Sequence, residues 1–149
     1  MKYFLVLLSA AIPLTEQKIA IPIGINEFNL NPISVFFSTW IGCLLPVPFI
    51  LIFFDKIFQW LKTVEFFNGF TRFVDNKLRK NTKHMDKYKE LGLIIFTGIP
   101  LPTTGLWTGS AVAVFLGLNK KKSMICCIIG SFISGVIISF VAIYFPHLL

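Results

Sequence analysis

Ile12-Pro13-Leu14-Thr15 and Ile99-Pro100-Leu101-Pro102-Thr103 open almost alike, and each interrupts an apolar run. Proline has no backbone N–H and clashes with the preceding turn, so neither run can be one continuous helix. Each interruption is followed by a helix-length apolar segment, Ile33 to Phe54 after the first and Met124 to Phe145 after the second. Broken hydrophobic segments at corresponding places in two halves of a chain point to a transporter-type binding site. Gly42 and Gly130 lie at nearly the same distance beyond the two motifs, which strengthens the reading of a repeat.

Working outward, the composition fixes the solvent. The 149 residues are 55% hydrophobic and only 14% charged, with a mean hydropathy of +0.76. Ile33–Phe54 carries no charge and exceeds the roughly 20 residues a helix needs to cross a bilayer. Met124–Phe145 is similar, and Leu91–Leu118 is longer but contains Pro100, Pro102 and five glycines. A soluble domain of this size has too much surface for its volume to bury three such segments. The chain therefore reads as an integral membrane protein.

The charges set its orientation. Nine of the fourteen basic residues and five of the seven acidic ones fall between Asp55 and Glu90, and Lys120, Lys121 and Lys122 form a second basic cluster. Loops rich in Lys and Arg stay cytoplasmic, so both flanks of Leu91–Leu118 are expected on one side, with Leu149 outside. A segment with both ends on one side either crosses twice as two short helices or enters and returns as a re-entrant hairpin, and the break at Ile99–Gly109 supports the hairpin. Backbone freed there needs protein or water as partner, since lipid offers none. The net charge of +7 follows from this topology and from attraction to anionic lipid heads. No recognition fold for nucleic acid is visible.

These readings give one all-α membrane domain over 1–149, built as two inverted repeats. Repeat 1 (about 1–54) and repeat 2 (about 91–149) are each a re-entrant helical hairpin followed by one transmembrane helix. The hairpin breaks carry Pro13 and Pro22 in the first and Pro100 and Pro102 in the second. Asn31-Pro32 marks the start of the first spanning helix, with Pro in its first turn. Met1-Lys2 and the apolar run Tyr3–Ile12 imitate a signal peptide, with Ser9-Ala10-Ala11 as a cleavage-like site. The further apolar stretch Ile19–Ile25 argues that the segment is retained. In the cytoplasmic linker (about 55–90), Ile57, Trp60, Leu61, Val64, Phe67, Phe70 and Val74 recur at helical spacing. That pattern fits a helix lying on the membrane surface, or one packed on the core.

Glu16 and Lys18 are the only charges between Tyr3 and Ile25. Ionisable groups in an apolar membrane segment mark a pathway, a proton site or an ion pair; the alternative is a shallow turn at headgroup level. The second break offers Thr103, Thr104, Thr108 and Ser110 hydroxyls, Trp107, and backbone bared by Gly105 and Gly109. Half-helix N-termini there can present N–H groups to an anion, although small residues also serve close helix packing. Cys43, Cys126 and Cys127 lie in apolar segments and read as packing residues, so no metal or other cofactor is expected. Enzyme chemistry is not indicated, because no nucleophile–base pair or phosphate-binding glycine loop is present.

The Glu16-Gln17-Lys18-Ile19-Ala20-Ile21-Pro22 stretch resembles the Glu-Leu-Arg-x-Ala-Ile-Pro motif of the small multidrug export proteins. Likewise Pro102-Thr103-Thr104-Gly105-Leu106-Trp107-Thr108-Gly109 resembles that family's Pro-x-x-Gly-x-Trp-Thr-Gly motif. Lys18 stands where Arg is usual, which keeps the charge but loses the bidentate fork. The hairpin-plus-helix halves also resemble the DedA superfamily, some of whose members are implicated in moving lipid carriers such as undecaprenyl phosphate. The resemblance implies a multi-pass transporter of the prokaryotic plasma membrane. Its expected partners are membrane lipids, protons and a small-molecule or lipid-phosphate substrate. A membrane scaffold is the non-transport alternative. Two spans are too few to enclose a pathway, so a homodimer or larger homo-oligomer is expected, with Gly130, Ser131, Ser134 and Gly135 at the contact.

Overall fold

A computed structural model describes residues 1–13, 15–61, 83–101 and 105–145. The described residues are helical throughout: α1 (Lys2–Ala11), α2 (Glu16–Pro22), α3 (Pro32–Leu44), α4 (Val47–Leu61), α5 (Lys83–Gly98), α6 (Leu106–Phe115) and α7 (Lys120–Tyr144). Two stretches are long and apolar enough to cross a membrane, Pro32–Phe54 and Lys120–Tyr144.

Local chemistry explains the boundaries. Asn31 Oδ1 accepts from Ile33 N at 3.0 Å and Ser34 N at 3.3 Å, with Pro32 at the first helical position, so α3 starts where the Asn-Pro pair places it. Asn119 Oδ1 caps α7 through Lys121 N at 2.9 Å. That helix begins at Lys120, four residues before the expected Met124, and takes the lysine cluster into its first turn.

The sequence-based expectation is corrected at two other places. Ile33–Phe54 is not one helix but two, α3 and α4, separated at Leu45–Pro46. Pro46 cannot give an N–H to the carbonyl of Gly42, and Leu45 N bonds that carbonyl instead at 3.3 Å. Pro22 is not a break. Helix α2 runs through it into a π-helical turn, Ile23–Glu27, that ends with Phe28 N on Ile23 O at 3.0 Å. Widening by one residue per turn accommodates a missing N–H.

The two long apolar stretches run antiparallel. Pro32 and Ile33 lie beside Ser139 and Ile143, Trp40 Nε1 donates to Ser131 Oγ at 3.0 Å, and Leu51 and Ile52 lie beside Met124 and Ile125. Phe36, Trp40 and Phe132 interlock at this seam with ring centroids 5.3–5.4 Å apart across it. The lysines at the start of α7 and the end of the first stretch therefore share one end of the molecule, where Lys122 pairs with Glu90 at 2.7 Å.

Against these stretches lie two helix–break–helix units. In the first, α1 turns at Ile12–Thr15 into α2, and Thr15 Oγ1 donates to Ser9 O across the turn. Its open end closes where Lys2 Nζ sits 5.6 Å from the Phe28 ring centroid. The second places α5 beside α6, with Lys89 Nζ donating to Leu116 O at 3.3 Å at the open end. Each unit presses on a long helix through a glycine. A side chain on Gly42 would strike the Leu7 backbone of α1, and one on Gly130 would strike Thr97 and Ile94 of α5. These close approaches need the missing Cβ.

The expected dimer contact is corrected too. Gly130, Ser131, Ser134 and Gly135 are buried inside the chain, against α5, Trp40, Gln17 and Phe36. A small-residue stripe marks close packing, but the stripe alone does not say whether the neighbour is another copy or the same chain. Cys43, Cys126 and Cys127 are free and buried, as their apolar settings predict. The amphipathic linker pattern falls largely outside the described residues beyond Leu61.

Candidate functional site

The turns of the two helix–break–helix units meet each other. Glu16, the first residue of α2, directs its carboxylate at the start of α6, where Oε1 accepts from Trp107 N at 3.3 Å. Gly105, the residue preceding α6, brings no capping side chain. Glu16 supplies from a distant part of the sequence the anion that a helix N-terminus favours. A Cβ at Gly105 would overlap that carboxylate, so glycine is what permits the approach. The Glu16 backbone has φ of 37°, in the left-handed region that a side chain rarely adopts. Such a conformation costs about 1–3 kcal/mol and is held only by its surroundings.

Lys18 Nζ lies 4.0 Å from Glu16 Oε2 and donates to Leu101 O in the second break. Indole Nε1 of Trp107 donates to Ala11 O at 3.2 Å, at the end of α1. Three links thus bind one turn to the other. Beside them lies a cavity of about 10 Å³, lined by Glu16, Gln17, Lys18, Thr97, Ser131 and Ser134 among others. That is room for about one water molecule. Its Ser131 and Ser134 walls belong to the middle of the 25-residue α7, so the charged pair sits halfway along the longest apolar helix.

Of the residues singled out in the sequence, Glu16, Lys18 and Gly105 line this cavity, and Trp107 joins it through its backbone and indole N–H groups. Thr108 is exposed and donates to Gly105 O at 3.4 Å, outside the cavity. Gly109 serves packing, since a side chain there would strike Thr97. Ser110 Oγ turns back on its own helix, donating to Leu106 O at 2.5 Å. Pro13 and Pro100 sit in the two breaks. Pro102, Thr103 and Thr104 lie outside the described residues.

Gln17 and Thr97 are absent from the sequence-derived set. Gln17 is 4% exposed, and its Nε2 has no hydrogen-bond partner among the described residues. Its signal was an amide between two charges in an apolar segment. Thr97 carried no signal beyond being a hydroxyl in an apolar run.

The all-helical architecture of the described residues and two apolar stretches of spanning length are those of a membrane protein. The chain belongs to the family described as Putative small multi-drug export protein, whose sequence model matches residues 16–137. No curated protein and no solved structure matches the chain.

Proposed function

We propose that this chain is a proton-coupled exporter of a small molecule in a prokaryotic plasma membrane, with its site where the two turns meet. On this reading the two helix–break–helix units are re-entrant hairpins of two inverted repeats. They dip from opposite faces and touch at the bilayer midplane. One observation carries the proposal: a carboxylate and a lysine, from a strained turn, are held by the backbone of the opposite turn beside the middle of α7. Ionisable groups at that depth are costly and mark transport pathways and proton sites.

The state described is closed, because a cavity of about 10 Å³ admits nothing larger than water. Substrate passage requires the turns to part. Of the three links that resist parting, one depends on the charge of Glu16, the cap on α6, and the same charge pairs with Lys18 within its own helix. Protonation of Glu16 removes the charge from both interactions at once and so favours opening. An apolar groove of about 480 Å³ reaches Trp107 from the side, walled by Pro46, Phe49, Ile50, Phe53 and Phe54. Its size is that of a small-molecule site.

A second reading is a DedA-like carrier of an anionic lipid such as a polyprenyl phosphate. What favours it is cationic placement, with Lys18 at the meeting point and Lys56 lining the groove. Transport assays in proteoliposomes under a pH gradient separate the readings, using a cationic dye in one arm and a polyprenyl phosphate in the other. Dye movement that requires Glu16 supports export, and lipid movement supports the carrier. Movement of neither, with or without a gradient, removes both and leaves a membrane scaffold.

A further inference from the structure

We infer that the cavity between the two turns and α7 is a site for one bound water molecule, which accepts from Gln17 and donates to Glu16. Gln17 is 4% exposed and lines the cavity, and its Nε2 has no hydrogen-bond partner among the described residues. A buried donor in that state has lost its hydration and gained nothing in exchange, so it calls for an acceptor. Nε2 lies over Gly135 of α7, 3.0 Å from where a Cβ there would stand.

Glu16 meets the same cavity with room to accept. Its Oε1 takes the N–H of Trp107 at 3.3 Å, whereas Oε2 stands 4.0 Å from Lys18 Nζ, beyond hydrogen-bonding range. Lys18 Nζ is turned to Leu101 O instead. Two hydroxyls of the lining already have their protons committed, Thr97 Oγ1 to Leu93 O at 2.8 Å and Ser131 Oγ to Ile128 O at 3.1 Å. This pairing of an N–H with a carboxylate chooses the occupant. A metal cation satisfies the carboxylate but not the N–H, and a halide satisfies the N–H but is repelled by the carboxylate. Water accepts from one and donates to the other. The volume of about 10 Å³ holds one water and nothing larger. Ser134, 5% exposed, adds a hydroxyl to the wall, which brings the partners within the roughly two to four that a buried water takes. The bridge joins α2 to the middle of α7, and it breaks without stranding a donor, because the water can leave with Gln17. It adjoins the site proposed for export and stands whether or not the chain transports.

The test is nuclear magnetic resonance of the full chain in lipid nanodiscs, with the glutamine side-chain nitrogen labelled. The chain has two glutamines, Gln17 and Gln59, and Gln59→Asn leaves one labelled amide to observe. The Gln17 amide protons should show an Overhauser contact with water, of the sign that marks a long-lived water rather than passing solvent. Ser134→Val fills the cavity and should abolish the contact. Ser134→Ala removes the hydroxyl but keeps the space, and should retain it. Gln17→Met should lower the melting temperature, since the water loses its donor. Absence of the contact in the folded natural chain overturns the proposal. Loss of the contact in Ser134→Ala overturns it by showing a relay through the hydroxyl, and persistence in Ser134→Val overturns it by showing surface solvent. A saturable change in the Gln17 signals on adding sodium or chloride overturns it in favour of an ion. A higher melting temperature for Gln17→Met also overturns it, because the amide was then a buried donor in a dry cavity.

Discussion

Glu16 does two things that ordinary sequence reasoning keeps apart. It is the buried charge of an apolar segment, and it is the cap of a helix ninety residues away. The two roles are separable by substitution. Glu16→Gln keeps an oxygen to accept from Trp107 N but loses the charge, so the protein should melt almost normally while proton-coupled transport is abolished. Glu16→Ala removes the cap as well and should cost about 1 kcal/mol more, read as a lower melting temperature in detergent. Transport by Glu16→Gln at the natural rate and pH dependence would reduce Glu16 to a cap. Lys18→Arg keeps the positive charge and the reach to Leu101 O, and is expected to transport. Lys18→Ala should impair flux of an anionic substrate strongly and of a cationic one weakly, which dye and lipid-phosphate assays compare directly. The isolation of Glu16 and Lys18 among apolar residues was legible. Their partners were not, because a backbone N–H carries no sequence signature and Gln17 looks like any other amide.

At the scale of elements, the breaks were legible and the spans less so. Proline at Pro13 and Pro100 ends a helix by sterics, which any reading of the chain finds. Pro22 and Pro46 obey the same sterics with different results, a π-helical turn in one case and a helix restart in the other. The choice depends on what the neighbouring helices allow. Gly42 and Gly130 show how the long helices hold the broken ones. Gly42→Ala and Gly130→Ala each press a methyl group into backbone or a buried threonine, and each should destabilise by about 1–3 kcal/mol. Thermal melts in detergent measure this. Gly92→Ala is the control, since nothing lies within 4 Å of a Cβ there, and it should be neutral or slightly stabilising by helix propensity.

For the whole molecule, the antiparallel arrangement gathers Lys56, Lys89 and Lys120–Lys122 toward one end and leaves Asn31 and Phe145 at the other. The basic end is expected to be cytoplasmic. In a chain with its native cysteines replaced, a single cysteine at Asn31 should react with a membrane-impermeant reagent in intact cells. One at Lys121 should react only after lysis. Reaction of both in intact cells would mean that the chain inserts either way. Charge counting gives the expected sidedness, but no count of small residues could say that Gly130, Ser134 and Gly135 face inward. Should copies associate, the available ridge on α7 is Ile129, Ile133, Val136 and Phe140, all exposed. Disulfide trapping should succeed from those positions and fail from Gly130 and Ser134.

The pairing of Glu16 with Lys18 has an electrical consequence. On the proposed reading, the neutral pair at mid-depth carries no net charge for the membrane voltage to move. Once the carboxylate takes a proton, Lys18 is left as a net charge. One elementary charge crossing the whole field is worth about 2.3 kcal/mol per 100 mV. A lysine starting halfway across has about half of that available toward the negative, cytoplasmic side. Proton uptake would then make the site voltage-sensitive as well as open, and the cell's potential would reset the same turn that its proton gradient releases.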